Sequence, residues 1–169
     1  FPITLILAAA SMGFALTVGV FLGMISIVYP HKILNAIIFG FSIFGMSLPS
    51  FFASILMAWL FAFILADYTG LNLFGSLYEV DEMGNGKYIE LKNLILPALT
   101  LGIRPLAIIT ELTSSSLKEV LAKDFIRTAR AKGLSEWQIL RKHDLKNALN
   151  PIITTISGWF ASLLARAVF

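Results

Sequence analysis

The chain of 169 residues is 57% hydrophobic and only 14% charged, with a net charge of +3 and a mean hydropathy of +0.83. Soluble domains carry about 25% charged residues, so this composition excludes an ordinary water-facing surface and points to lipid as part of the solvent. There is no cysteine, which excludes disulfides and thiolate-held metals.

Residues 1–28 carry no charged side chain, and neither do residues 33–66. A helix of ~20 apolar residues crosses the ~30 Å of bilayer hydrocarbon, and on that basis four membrane segments are expected. The first is Ile3–Val28, closed by "YPHK". It has no basic n-region and further spans follow it, so a signal peptide is a poor explanation. Along it Ala15, Gly19 and Gly23 recur every fourth residue, a small-residue stripe that lets helix backbones approach closely. The second segment lies within Ile33–Ala66, whose 34 residues would extend ~51 Å as one helix. That is too long for one simple crossing, and Pro49 in "GMSLPSFF" is the expected kink or break. The third runs from about Leu94 to Leu117 and the fourth from about Ala148 to Phe169. Both ends of the chain fall inside apolar text without an initiator Met, so a piece of a longer membrane protein is expected.

Two polar segments separate the spans, and their charges differ. Residues 67–92 hold Asp67, Glu79, Asp81, Glu82 and Glu90 against Lys87 and Lys92, a net of −3. Residues 118–146 hold eight Lys or Arg against Glu119, Asp124, Glu136 and Asp144, a net of +4. Short loops rich in Lys and Arg stay cytoplasmic. The expected topology therefore has 118–146 and Lys32 inside, and the N-terminal end and 67–92 outside. Within the outer loop Asn85 and Gly86 signal a turn, and a solvated loop or short hairpin is expected. Its acidic residues do not follow a calcium-loop spacing.

The segment "ARAKGLSEWQILRKHDLKNALNP" (residues 129–151) raises the functional question. Leu117, Val120, Leu121 and Ala129 predict that the third span continues as an amphipathic helix to Lys132. Arg130 and Lys132 then form a basic last turn, and Gly133 stands where a left-handed cap is needed. A second, short helix is expected from Ser135 as N-cap, with Gln138 completing a capping box and Leu134 and Ile139 a hydrophobic staple. It carries Trp137, Ile139 and Leu140 among Glu136, Arg141 and Lys142. Helices this short need a packing surface. Basic amphipathic helices lie on anionic lipid, and equally the groove of a partner protein would take Trp137 and Leu140 as anchors. Periodicity does not separate these two.

The run "DFIRTARAKGLSEWQILRKHDLKNALNPIIT" (Asp124–Thr154) closely resembles the cytoplasmic loop of ABC-transporter permeases that import oligopeptides, dipeptides or nickel. The family pattern reads D-Y-I-R-T-A-R-A-K-G-L-S, then a His, R-N-A-L and a Pro. It is matched here from Asp124 to Ser135, with Phe125 in place of Tyr, and at His143, Asn147, Ala148, Leu149 and Pro151. Weaker similarity extends through "ILPALTLGI" (95–103) and "SLPSFFASIL" (47–56), and the B-type permease of such importers fits best. The resemblance implies an all-α integral membrane fold, the helical core of a type I importer permease, in one domain over 1–169. It also implies that the loop is a coupling helix seated in a cleft of an ATPase subunit, with Ala129, Lys132, Gly133, Leu134, Ser135, Trp137, Leu140 and His143 in the docking segment. The implied partners are a second permease subunit, two ATPase subunits, an extracytoplasmic solute-binding protein, the lipid bilayer and a peptide or other small solute. No nucleic acid is expected. ATP and Mg would bind the ATPase subunits, since this chain has no G-x-x-x-x-G-K-[ST], and by itself the chain is not expected to be an enzyme. The other reading is a membrane scaffold or channel-like protein whose loop rests on lipid.

Single residues divide similarly. His143 has only His31 for company and no Cys, so a capping or interface hydrogen bond is expected rather than a metal site. Arg104 sits mid-span beside Pro105, and Glu111 lies seven residues on, ~10 Å along the axis. An intramembrane charge costs about 2.5–3.5 kcal/mol on insertion scales and normally meets a cavity or a partner. Arg104 and Glu111 are therefore candidates for the translocation pathway, with a structural pair to another helix as the alternative. Glu111 and Ser114 replace residues that are commonly basic in the family, and Arg166 replaces a small one.

Overall fold

A computed structural model describes residues 2–72, 75–80, 87–124, 126, 131–133, 136–139 and 145–168, with side chains left aside at 79–80, 87–88, 136–137, 145–149 and 163–168. The described elements run α1 (Pro2–Val28), α2 (Lys32–Ser47), α3 (Ser50–Trp59) continuing through a π-helical turn (Leu60–Ile64), α4 (Ala66–Thr69), β1 (Tyr78–Val80), β2 (Lys87–Ile89), α5 (Lys92–Leu121), α6 (Glu136–Ile139) and α7 (Leu145–Val168). Among the described residues α1 and α5 are long and apolar enough to cross a membrane, and α2 with α3 passes the same test as a bent pair. The described residues are thus mainly helical, with one small hairpin.

The bend falls where the sequence places it. Pro49 offers no N–H and disfavours helical geometry in the residue before it. Leu48 is accordingly extended (φ −72°, ψ 132°), and the two helices meet at 116°. In contrast, α5 runs unbroken through both Pro97 and Pro105, as transmembrane helices can when neighbours re-satisfy the freed carbonyls.

The packing of α1 on α5 is the largest helix contact among the described elements, and the small-residue stripe makes it. A Cβ added to Gly23 would lie 2.6 Å from Thr113 Cβ, and one added to Gly102 would lie 2.9 Å from the Ser11 carbonyl. Glycine on both helices is what allows this approach. Lipid tails are as apolar as leucine, so dispersion packing and hydrogen bonds between helices hold such a contact. Here the Ser26 hydroxyl is hydrogen-bonded to the Ser114 hydroxyl at 3.0 Å. Thr110 and Thr113, both fully buried, donate back to the carbonyls of Leu106 and Ile109. Ser11 opposes Gly102, Gly19 opposes Ile109, and Gly23 opposes Thr113, so α1 and α5 run parallel. Their C-terminal ends, Val28 and Leu117–Leu121, pack together at one end of the molecule. α7 joins the pair through Ile152, which is buried with Met12, Ala15, Leu106 and Ile109.

α2 runs back along α5. Its Phe39 ring lies 5.9 Å from Lys118 Nζ, within cation–π range, and a Cβ on Gly45 would stand 2.6 Å from Ile103 Cγ2. The acidic segment forms an antiparallel hairpin with Tyr78 opposite Ile89. Its expected turn at Asn85 and Gly86 lies outside the described residues.

One expectation fails. α5 does not continue to Lys132 but stops at Leu121, with Ala122 as its C-cap. On a straight helix Ile126 would sit 900°, or half a turn, round from Leu117 at 100° per residue. Both residues are fully buried, and the break after Leu121 is what lets the chain turn Ile126 inward.

Candidate functional site

Three features stand out. The first is the elbow after α5. Lys132 and Gly133 are exposed, and Gly133 has φ +80°, the left-handed region where a side chain costs roughly 1–2 kcal/mol. The helix α6 follows at Glu136–Ile139 with Ile139 fully buried, so the short helix seats one apolar residue within this chain. Among the docking residues named above, Ala129, Leu134, Ser135, Leu140 and His143 lie outside the described residues. The backbone of Trp137 belongs to α6, and its side chain lies outside them.

The second feature is Arg104. It is exposed, twelve residues or ~18 Å into α5, and its Nη2 donates to the Met46 carbonyl at 3.3 Å. Met46 is in the last turn of α2, where the break before Pro49 removes the next helical donors. A cation at a helix C-terminus also opposes the negative end of the helix dipole. Arg104 therefore caps α2 at its bend, and an intramembrane charge gains a partner that the sequence did not reveal. Glu111 is exposed further along α5 and is not brought to Arg104. Ser114 is buried against α1 and serves packing, whereas Glu111 faces outward.

The third feature was not anticipated. A cleft of about 440 Å³ opens between α3, the first three turns of α5 and the loop before β1. It exists because α3 presents Ser50, Ser54 and Ala58, small residues at i, i+4 and i+8, toward Asn93, Leu96 and Thr100 on α5. That spacing was visible in the sequence, but only the bend at Pro49 sets α3 beside α5. Asn93 ties the rim, accepting from Asn72 Nδ2 at 3.2 Å and donating to the Ser76 carbonyl at 2.9 Å. Among the described residues, no group of three His, Asp or Glu side chains could hold a metal ion.

Two helices long and apolar enough to cross a membrane, a bent α2–α3 pair and a left-handed Gly133 after α5 are the features on which a membrane-protein class rests. Residues 15–169 match the family of binding-protein-dependent transport system inner membrane components, and the chain belongs to that family. It is 36% identical to the di/tripeptide transport system permease protein DppB of Pseudomonas aeruginosa over 184 residues, covering 99% of this chain and 54% of that protein. It is 34% identical to the dipeptide transport system permease protein DppB of Bacillus subtilis, covering 97% of this chain and 48% of the relative. For the protein of that name in Escherichia coli K12 the figures are 33%, 99% and 54%. The chain spans about half the length of these curated relatives. By family the chain is thus an inner-membrane component of a transport system.

Proposed function

We propose that this chain is membrane-spanning machinery of an ATP-driven importer of short peptides, moved by a separate ATPase through residues 118–146. The observation that carries the reading is similarity over nearly the whole chain to proteins named as dipeptide and di/tripeptide permeases. The whole of 1–169 acts as one permease domain, which pairs with a second permease subunit and forms the pathway between them. Two ATPase subunits bind ATP and Mg on the cytoplasmic side, and a solute-binding protein delivers cargo from outside. A peptide is the favoured cargo, and nickel remains the alternative cargo of the group.

Residues 118–146 are cytoplasmic in this reading and 67–92 extracytoplasmic. The parallel run of α1 and α5 supports it, because the ends near Lys32 and Lys118 then share one side and the hairpin lies at the other. The docking segment is Ala129, Lys132, Gly133, Leu134, Ser135, Trp137, Leu140 and His143. The left-handed Gly133 supports a stiff elbow there, suited to passing ATPase closure on to the membrane helices. Arg104 spends one N–H on Met46, and a guanidinium has five. The rest are available to a carboxylate in the pathway, with Glu111 further along the same helix.

Co-purification tests the coupling. In the assembled transporter, Trp137→Asp should release the ATPase, and Gly133→Pro, which forces φ to about −65°, should uncouple ATP hydrolysis from uptake. Retention of both ATPase binding and ATP-driven uptake in both variants would leave the loop on lipid and overturn docking.

A further inference from the structure

We infer that the cleft between α3 and α5 is a binding site for a short zwitterionic peptide, with Lys92 as the counter-ion of its terminal carboxylate. The inference rests on the peptide-importer reading for the identity of the ligand, and on the cleft itself for the site.

The volume of about 440 Å³ falls within the ~300–1,000 Å³ usual for small-molecule sites, which are mostly apolar with a few placed polar groups. Lys92 is the one charged residue among the described residues that line the cleft. It stands at one end, at the start of α5, where the Asn72–Asn93 hydrogen bond fixes the rim. An ammonium in that position recruits an anion.

The polarity reverses further in. The hydroxyls of Ser54 and Thr100 donate to the carbonyls of Phe51 (2.6 Å) and Leu96 (2.8 Å) in their own helices. Their protons are thereby used, which leaves the oxygens of these two lining residues as acceptors. The cleft therefore offers a cation at Lys92 and, toward Thr100, acceptors for N–H donors. Phe51, Leu96 and Leu101 supply apolar wall. Thr100 is eight residues from Lys92, ~12 Å along the helix. Two or three extended residues span about 7–11 Å, and the flexible four-carbon stem of Lys92 makes up the remainder, so a dipeptide or tripeptide reaches both ends.

The test uses the full-length permease in its assembled transporter. The sequence has no cysteine, so Ala58→Cys places a single thiol in this chain on the cleft wall. Millimolar dialanine should slow labelling of that thiol by N-ethylmaleimide several-fold, and dialanine C-terminal amide should protect much less. Adding Lys92→Gln should abolish the difference between acid and amide, and Lys92→Arg should restore it. In uptake assays Lys92→Gln should raise the half-saturating dialanine concentration about tenfold, the scale of one charge-assisted hydrogen bond. Equal protection by acid and amide, or none by either while uptake is intact, overturns the site. Protection without ATP-driven uptake keeps the site and sinks the importer reading instead.

Discussion

At the scale of single residues, backbone proximity decides most of what can be changed. Gly23 leaves no room for a side chain against Thr113, whereas a Cβ on Gly13 would meet nothing within 4 Å. Gly23→Val should therefore destabilise the purified protein by about 1–3 kcal/mol, the usual range for overpacking. The matching change at Gly13 should be neutral or slightly stabilising, since valine is a better helix former than glycine. Thermal unfolding in detergent compares the two, and equal effects would mean that α1 and α5 do not pack this closely. The stripe was legible because small residues at four-residue spacing act through one helix face. Gly133 was legible for a similar reason, since a helix stop with basic residues just before it is a local signal. The role of Arg104 was not legible. Its partner is a carbonyl 58 residues away, and no local pattern encodes that pairing.

At the scale of elements, the second span shows how a break becomes architecture. Pro49 starts the bend, but Pro97 and Pro105 do not bend α5, so proline alone is insufficient. The α2–α3 bend is also held by Arg104 on the Met46 carbonyl and by the close fit of Gly45 to Ile103. Arg104→Met should loosen it. Spin labels at cysteines replacing Gly40 and Ile55, both exposed, should report a broadened distance distribution in that variant; an unchanged one would mean that Pro49 suffices. The break itself was readable from Pro49 and from a span too long for one crossing. The early end of α5 was not, because the burial of Ile126 is tertiary and overrides the apolar spacing of Leu117, Val120 and Leu121. The cleft was hidden for the same reason: its wall of Ser50, Ser54 and Ala58 matters only once the bend sets α3 beside α5.

At the scale of the whole molecule, charge and packing agree on which ends belong together. The acidic hairpin segment sits at the start of α5, and the basic segment follows its end. If the basic end is cytoplasmic, a membrane-impermeant maleimide added to intact cells should label a cysteine replacing Tyr78 and spare one replacing Lys132 until the membrane is opened. The reverse pattern would invert the topology. The most direct test of the central claim is dialanine accumulation by proteoliposomes holding the full-length permease with its partner permease, ATPases and solute-binding protein. Uptake that requires both ATP and the solute-binding protein, and is abolished by Gly133→Pro, is the expected result. Accumulation independent of ATP, or none at all from a fully assembled complex, would contradict it.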